Sequence, residues 1–199
     1  MIISDRIGSH IASAMVDAGV ISNDKTAIYT YCYSSLLDKL IYILYIALLG
    51  ILTRHPLSAL IILSVLLPLR STVGGVHADS QIVCSILSFI IPPFMIFISL
   101  QSSVLSLEVF VTIYVLSMII IFIFAPVGNK NRPINNKKRS KLRKILFISS
   151  VPISMIFIFL LFTGLNDLSF LTALCTFFCA VSLILGIIKN RRQRICSSI

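Results

Sequence analysis

The sequence predicts an all-α, polytopic membrane bundle of about six membrane segments, with an N-terminal amphipathic helix lying at the interface. Three observations predict it. Hydrophobic residues fill 57% of the 199 positions and charged residues only 12%, against about a quarter charged in a soluble domain. The apolar residues gather in long runs, so the bilayer is the natural solvent; the mean hydropathy is +1.01. The formal net charge of +10 collects in clusters beside those runs, as in cytoplasmic loops that meet anionic lipid. That placement names the lipid bilayer as a partner and argues against nucleic acid. With most residues inside spans, residues 1–199 are expected to form a single domain.

Residues 1–22 read as the amphipathic helix. Ile3, Ile7, Ile11 and Met15 recur every four residues, while Asp5, Arg6 and His10 lie elsewhere on the wheel. Such a helix can lie on the cytoplasmic leaflet or pack on the bundle. Its charges and broken apolar pattern do not suit a signal peptide. Asn23 and Asp24 can cap a second helix, which starts with Tyr29, Tyr31 and Tyr33 and turns apolar from Leu40 to Leu52. Arg54, His55 and Pro56 form a turn into a second apolar run over 57–69, ended by Pro68 and Arg70. Both runs fall short of the roughly 20 residues of a clean span. Four stronger spans follow, at Ile82–Leu100, Leu107–Ala125, Ile145–Phe162 and Leu168–Ile188. Pro92 and Pro93 interrupt the first of these and are expected to bend it.

Orientation follows from Lys and Arg. The loop 126–144 holds eight basic residues and no acid, and the stretch after Ile188 is basic as well. Both are expected on the cytoplasmic side, which leaves Asn166 and Asp167 outside. Counting back places Arg70, His77 and both termini inside.

The chemistry-bearing residues sit in the segment 70–84, between two apolar runs at a membrane boundary, where ionisable side chains are costly. His77 and Cys84 are the one His/Cys pair close in sequence. A thiolate is the nucleophilic form of cysteine, and a neighbouring imidazole can generate it. On an unbroken helix seven residues rise about 10.5 Å, too far for a hydrogen bond. Gly74 and Gly75 offer the solution, because glycine permits backbone angles that break the helix. Asp79 or Ser80 can then cap the next helix, with Cys84 near its first turn and close to the positive end of the helix dipole. Spacing alone leaves two roles open for Cys84, nucleophile or small packing residue. Cys175 and Cys179, four residues apart on one helix face with no histidine near, read as packing. His10 and His55 read as interface residues that spacing alone does not exclude as partners of Cys84. The odd number of cysteines gives no disulfide framework. There is no HExxH, Walker or GxSxG motif, so neither a metal nor a cofactor is expected.

These residues carry a resemblance. Arg70…Gly74-Gly75-Val76-His77-Ala78…Cys84 resembles the signature of the accessory gene regulator B (AgrB) family. A second stretch agrees: Ala125-Pro126, then Pro133-Ile134 before a Lys/Arg run. The resemblance covers essentially the whole chain. It implies a membrane cysteine endopeptidase of Gram-positive bacteria, acting on the cytoplasmic side of the cell membrane. Its substrate would be an AgrD-like pro-peptide, with Cys84 as nucleophile and His77 as general base. The product would be a cyclic thiolactone or lactone quorum-sensing signal. The resemblance also implies a homodimer, a substrate-binding role for Arg70, and a structural role for Gly74 and Gly75 in the site. The contrasting readings are a membrane transporter without peptidase chemistry and a structural membrane subunit.

Overall fold

The helix ends at Gly19, Arg54 and Gly164 are closed by backbone hydrogen bonds of the chain itself, which pair carbonyls that a helix end leaves open. A computed structural model describes residues 2–74, 81–102, 105–127 and 136–196, with backbone alone for 2–3, 81–85, 136–138 and 190–196. Seven α-helices follow in order: α1 (Ile2–Asp17), α2 (Thr26–Leu52), α3 (Pro56–Val73), α4 (Gln81–Ser99), α5 (Leu107–Phe124), α6 (Asn136–Phe162) and α7 (Asn166–Cys196). Five regions are long and apolar enough to cross a membrane: Asn23–Leu52, Pro56–Val73, Leu107–Phe124, Arg139–Phe162 and Asn166–Lys189. A sixth apolar stretch, Ile86–Ser99 in α4, is shorter. The chain is therefore a multi-pass helical membrane protein.

Several boundaries differ from the sequence reading, each for a physical reason. Asn23 and Asp24 form a 3-10 turn, Asn23–Lys25, and α2 begins only at Thr26. The Thr26 hydroxyl donates back to the Asn23 carbonyl at 2.8 Å. Both early apolar runs extend into full helices. α3 continues through Pro68 and Arg70 to Val73, since a proline removes one ladder bond without forcing the chain to stop. α6 begins nine residues before Ile145, and α7 runs past Ile188 to Cys196. Basic side chains do not break a helix; they let it leave the bilayer while its backbone ladder continues.

α3 and α7 are the central pair. Half of each span is buried, against 11% for α2. Ile62, Val65, Leu69 and Val73 of α3 and Leu171, Cys175 and Leu183 of α7 are fully enclosed. α7 also packs on α4, α5 and α6, and α3 on α2 and α6. Aromatic stacking joins α5 to its neighbours: Phe110 with Phe170 of α7 and Tyr114 with Phe157 of α6, at centroid separations of 4.8 and 4.0 Å. The Tyr114 hydroxyl also bonds Ser154 at 2.8 Å. The amphipathic α1 packs along the first half of α2, with Ala12 and Ser4 buried and the Ser34 hydroxyl donating to the Ser4 carbonyl.

The α2–α3 connection is tight. Arg54 adopts a left-handed φ of 59°, and His55 N–H donates to the Gly50 carbonyl at 3.0 Å while Arg54 N–H donates to Ile51. This is a Schellman closure. It brings Gly50 so close to Ala59 that an added Cβ would meet the Ala59 Cβ at 2.5 Å. Gly50→Ala should therefore lower the unfolding free energy in detergent by about 1–3 kcal/mol. Adding Ala59→Gly should recover part of that loss, read as the thermal midpoint of the purified protein.

Candidate functional site

α3 ends where its backbone meets the exit of α5. Gly74 terminates the helix with φ 75° and ψ −157°, a conformation that side-chain-bearing residues rarely adopt. The Val127 N–H donates to the Val73 carbonyl at 3.1 Å, and Gly74 pairs with Val127 as an isolated parallel bridge. A Cβ on Gly74 would collide with the Val127 carbonyl oxygen. Glycine is needed here for both its angles and its lack of bulk. Ala125 and Pro126 are buried beside this contact, and their peptide bond is cis. From α6, Arg143 Nε donates to the Ala125 carbonyl at 3.3 Å. Two segments about 50 positions apart in sequence, 70–74 and 125–127, thus share one end of the bundle.

Arg70 stands on the last turn of α3, half-buried, and its Nη1 donates to the Ser88 hydroxyl of α4 at 3.2 Å. Its charge also reaches Tyr42 of α2 and Cys179 of α7. Ser88 lies one helical turn after Cys84, on the same face by register. Cys84 is the fourth residue of α4, whose first is Gln81. Gly75, His77, Asp79 and Ser80 lie outside the described residues, as does the Cys84 side chain. The structure therefore brings Arg70 of α3 to Ser88 of α4, with Gly74 one turn beyond Arg70.

Other sequence candidates fall elsewhere. Cys175 and Cys179 are buried, free thiols in the α3–α7 core, as expected of packing residues. Cys32 is exposed on α2. His55 precedes the 18-residue α3 that Gly74 follows, so it lies about 27 Å from the site and is no partner for Cys84. His10 is exposed on α1. Among the described residues, no group of three or more His, Cys, Asp or Glu side chains could hold a metal ion.

Sequence reasoning missed the contact of Gly74 with Val127 and the roles of Ser88 and Arg143. The spacing Cys84–Ser88 was a readable signal for one of them. Nothing in the linear order announces the approach of 125–127 to Gly74.

Fold and site define a polytopic helical membrane protein with a polar junction at the end of the bundle where α3 and α5 end and α6 begins. The comparison with known sequences makes this specific. The profile of the family described as Accessory gene regulator B matches residues 5–187, and the chain belongs to that family. It is 34% identical over 128 residues to "Putative AgrB-like protein 2" of Clostridium perfringens (strain 13 / Type A), covering 61% of this chain and 60% of that protein. "Putative AgrB-like protein" of strain SM101 matches to the same extent. A like-named protein of Clostridium beijerinckii is 32% identical over 83 residues, 40% of each chain. The chain thus spans about 60% of the length of the C. perfringens relatives. No solved structure matches it.

The Gly74 contact yields a prediction. Gly74→Ala should lower stability by about 1–3 kcal/mol, the range for a strained backbone position, read as a fall in thermal midpoint. A Gly74→Ala protein as stable as wild type would show that the approach to Val127 is looser than described.

Proposed function

We propose that this protein is a membrane cysteine endopeptidase that matures an AgrD-like pro-peptide into a cyclic quorum-sensing signal. The observation that carries the reading is the meeting of the two family motifs. Val127, in the Ala125-Pro126 motif, bonds the backbone of Val73 at the head of the Gly74…His77…Cys84 motif.

The chemistry needs two steps. His77 takes the proton of the Cys84 thiol, and the thiolate attacks the scissile carbonyl. The C–N bond breaks, His77 gives the proton to the leaving amine, and the N-terminal part of the peptide stays on Cys84 as a thioester. A Cys thiol or Ser hydroxyl within that peptide then gives its proton to His77 and attacks the thioester carbonyl. Cys84 leaves as the thiolate and a thiolactone or lactone ring closes. Cys84 lies in the first turns of α4, where the helix dipole favours a thiolate and unpaired amides can receive the oxyanion. Arg70, held on α4 through Ser88, offers charge-assisted hydrogen bonds to the acidic part of the peptide. Gly74 and Gly75 free the chain to return His77 over the helix start.

The whole chain acts as one peptidase domain in this reading. Residues 1–22 form the interfacial helix, 70–84 the catalytic loop and helix start, and 126–144 the basic cytoplasmic segment. In this reading the protein crosses the cell membrane of a Gram-positive bacterium several times, with both termini and the active site on the cytoplasmic side, and the working unit is a homodimer. The basic helix starts support that orientation, since Arg139, Lys141, Arg143 and Lys144 lie at the Gly74 end of the bundle and Lys and Arg favour the inside.

The test uses protein in lipid vesicles with the pro-peptide encoded beside its gene, read by mass spectrometry. Cys84→Ser and His77→Ala, each checked for insertion, should lower cleavage by at least about 10³-fold. Wild type should carry a thioester-linked peptide on Cys84. Equal cleavage in all three proteins would overturn the assignment and leave transport or a structural role as the function.

A further inference from the structure

A proline inside a helix has no N–H for the carbonyl four residues earlier. Pro92 and Pro93 lie inside α4, so they release the carbonyls of Ser88 and Phe89 from its ladder. In hydrocarbon a released carbonyl is costly unless another donor finds it. The Tyr45 hydroxyl of α2 donates to the Phe89 carbonyl at 2.6 Å. The two rings also meet edge to face, with centroids 4.7 Å apart. One residue earlier, Ser88 receives Arg70 of α3. Two consecutive α4 residues are thereby tied to two different helices, about 6–7.5 Å along the axis from Cys84.

Directional ties matter on this helix because its apolar packing is thin. Among the described side chains of α4, Ile86, Leu87, Phe89, Ile90, Phe94 and Phe97 are exposed, while Pro92, Met95 and Ile96 are buried. A helix lipid-facing over so much of its surface can turn about its axis with little loss of apolar burial. Its rotation decides where position 84 lies relative to Gly74.

We infer that Tyr45 is a positioning residue for the peptidase: its hydroxyl, bound to the carbonyl that Pro93 frees, sets the rotation and depth of α4 and so the location of Cys84. The inference rests on Cys84 being the nucleophile. It adds a residue from α2, far from both family motifs, to the machinery.

The test is a double-mutant cycle on full-length protein in vesicles, with the neighbouring pro-peptide as substrate. Tyr45→Phe keeps the ring contact and removes the donor. It should lower the single-turnover cleavage rate by about tenfold or more, with KM unchanged. Tyr45→4-aminophenylalanine restores a donor and should restore the rate. In a Pro93→Ala background residue 93 has its own N–H for the Phe89 carbonyl, so Tyr45→Phe should change the rate by less than about twofold. That comparison stands even if Tyr45→Phe alone does not insert, because in the double variant the Phe89 carbonyl has the residue 93 N–H. A Tyr45→Phe rate equal to wild type, or equal losses in the two backgrounds, overturns the inference. Cys84→Ser runs in the same assay: if it still cleaves, the peptidase reading falls and the inference with it. If it is dead while Tyr45→Phe turns over normally, only the inference falls.

Discussion

The hydrogen bond from the Val127 amide to the Val73 carbonyl is the contact on which the rest of the site depends. It fixes where α3 stops, because Gly74 must take a left-handed φ and lie against the Val127 carbonyl. It also fixes where the chain departs toward position 84. Arg143 braces the other side of the junction by reaching the Ala125 carbonyl from α6. α3, α5 and α6 are thereby tied at one end of the bundle, α3 to the exit of α5 by a backbone hydrogen bond and α6 by an arginine side chain. The opposite end has its own tie, from the Ser102 hydroxyl to the Asp167 carboxylate at the start of α7. The two ends are built differently: backbone to backbone and Arg-braced at the site, side chain to side chain away from it.

A lipid solvent explains most of the remaining detail. No water is available to satisfy an exposed backbone group, so each break in a helix must be closed locally. α1, α2 and α6 all end in Schellman closures, through Gly19, Arg54 and Gly164 at left-handed φ. Hydroxyls within helices mostly turn back to a carbonyl three or four residues earlier, as Thr72, Ser117, Thr172 and Thr176 do. The exception that matters is α4, where two prolines leave carbonyls that need partners from other helices. Interior polarity is thus spent on closing the backbone, with Arg70 the half-buried charge that sits beside the site.

Much of this was legible in the sequence, and the parts that were not share a cause. Hydropathy placed α5 to within a residue, at Leu107–Phe124 against an expected Leu107–Ala125. It placed α4 as closely. It missed the start of α6 and both ends of α7, because hydropathy reports immersion in lipid and Lys137 or Arg192 can be helical in water. It read 57–69 as a truncated run, because Pro68 looks like a stop in one dimension and is tolerated in three. For the site, the role of Gly74 as a helix breaker followed from residue type alone. The identity of what it breaks against, Val127, did not, because a contact across about 50 residues has no periodicity to reveal it. Pro93 announced a freed carbonyl at Phe89, but only the packing of α2 could supply Tyr45.

The claim beneath all of this is that the end of α3 and the basic start of α6 share one face of the membrane. Distances between spin labels on unnatural amino acids test it most directly. One label goes at Lys141, exposed on α6, and the second at Ser71 or at Leu57, exposed near opposite ends of α3. The account predicts a clearly shorter distance for Ser71–Lys141 than for Leu57–Lys141, since the two α3 positions lie about 21 Å apart along the axis. Equal distances, or the reverse order, would contradict the junction and the site built on it.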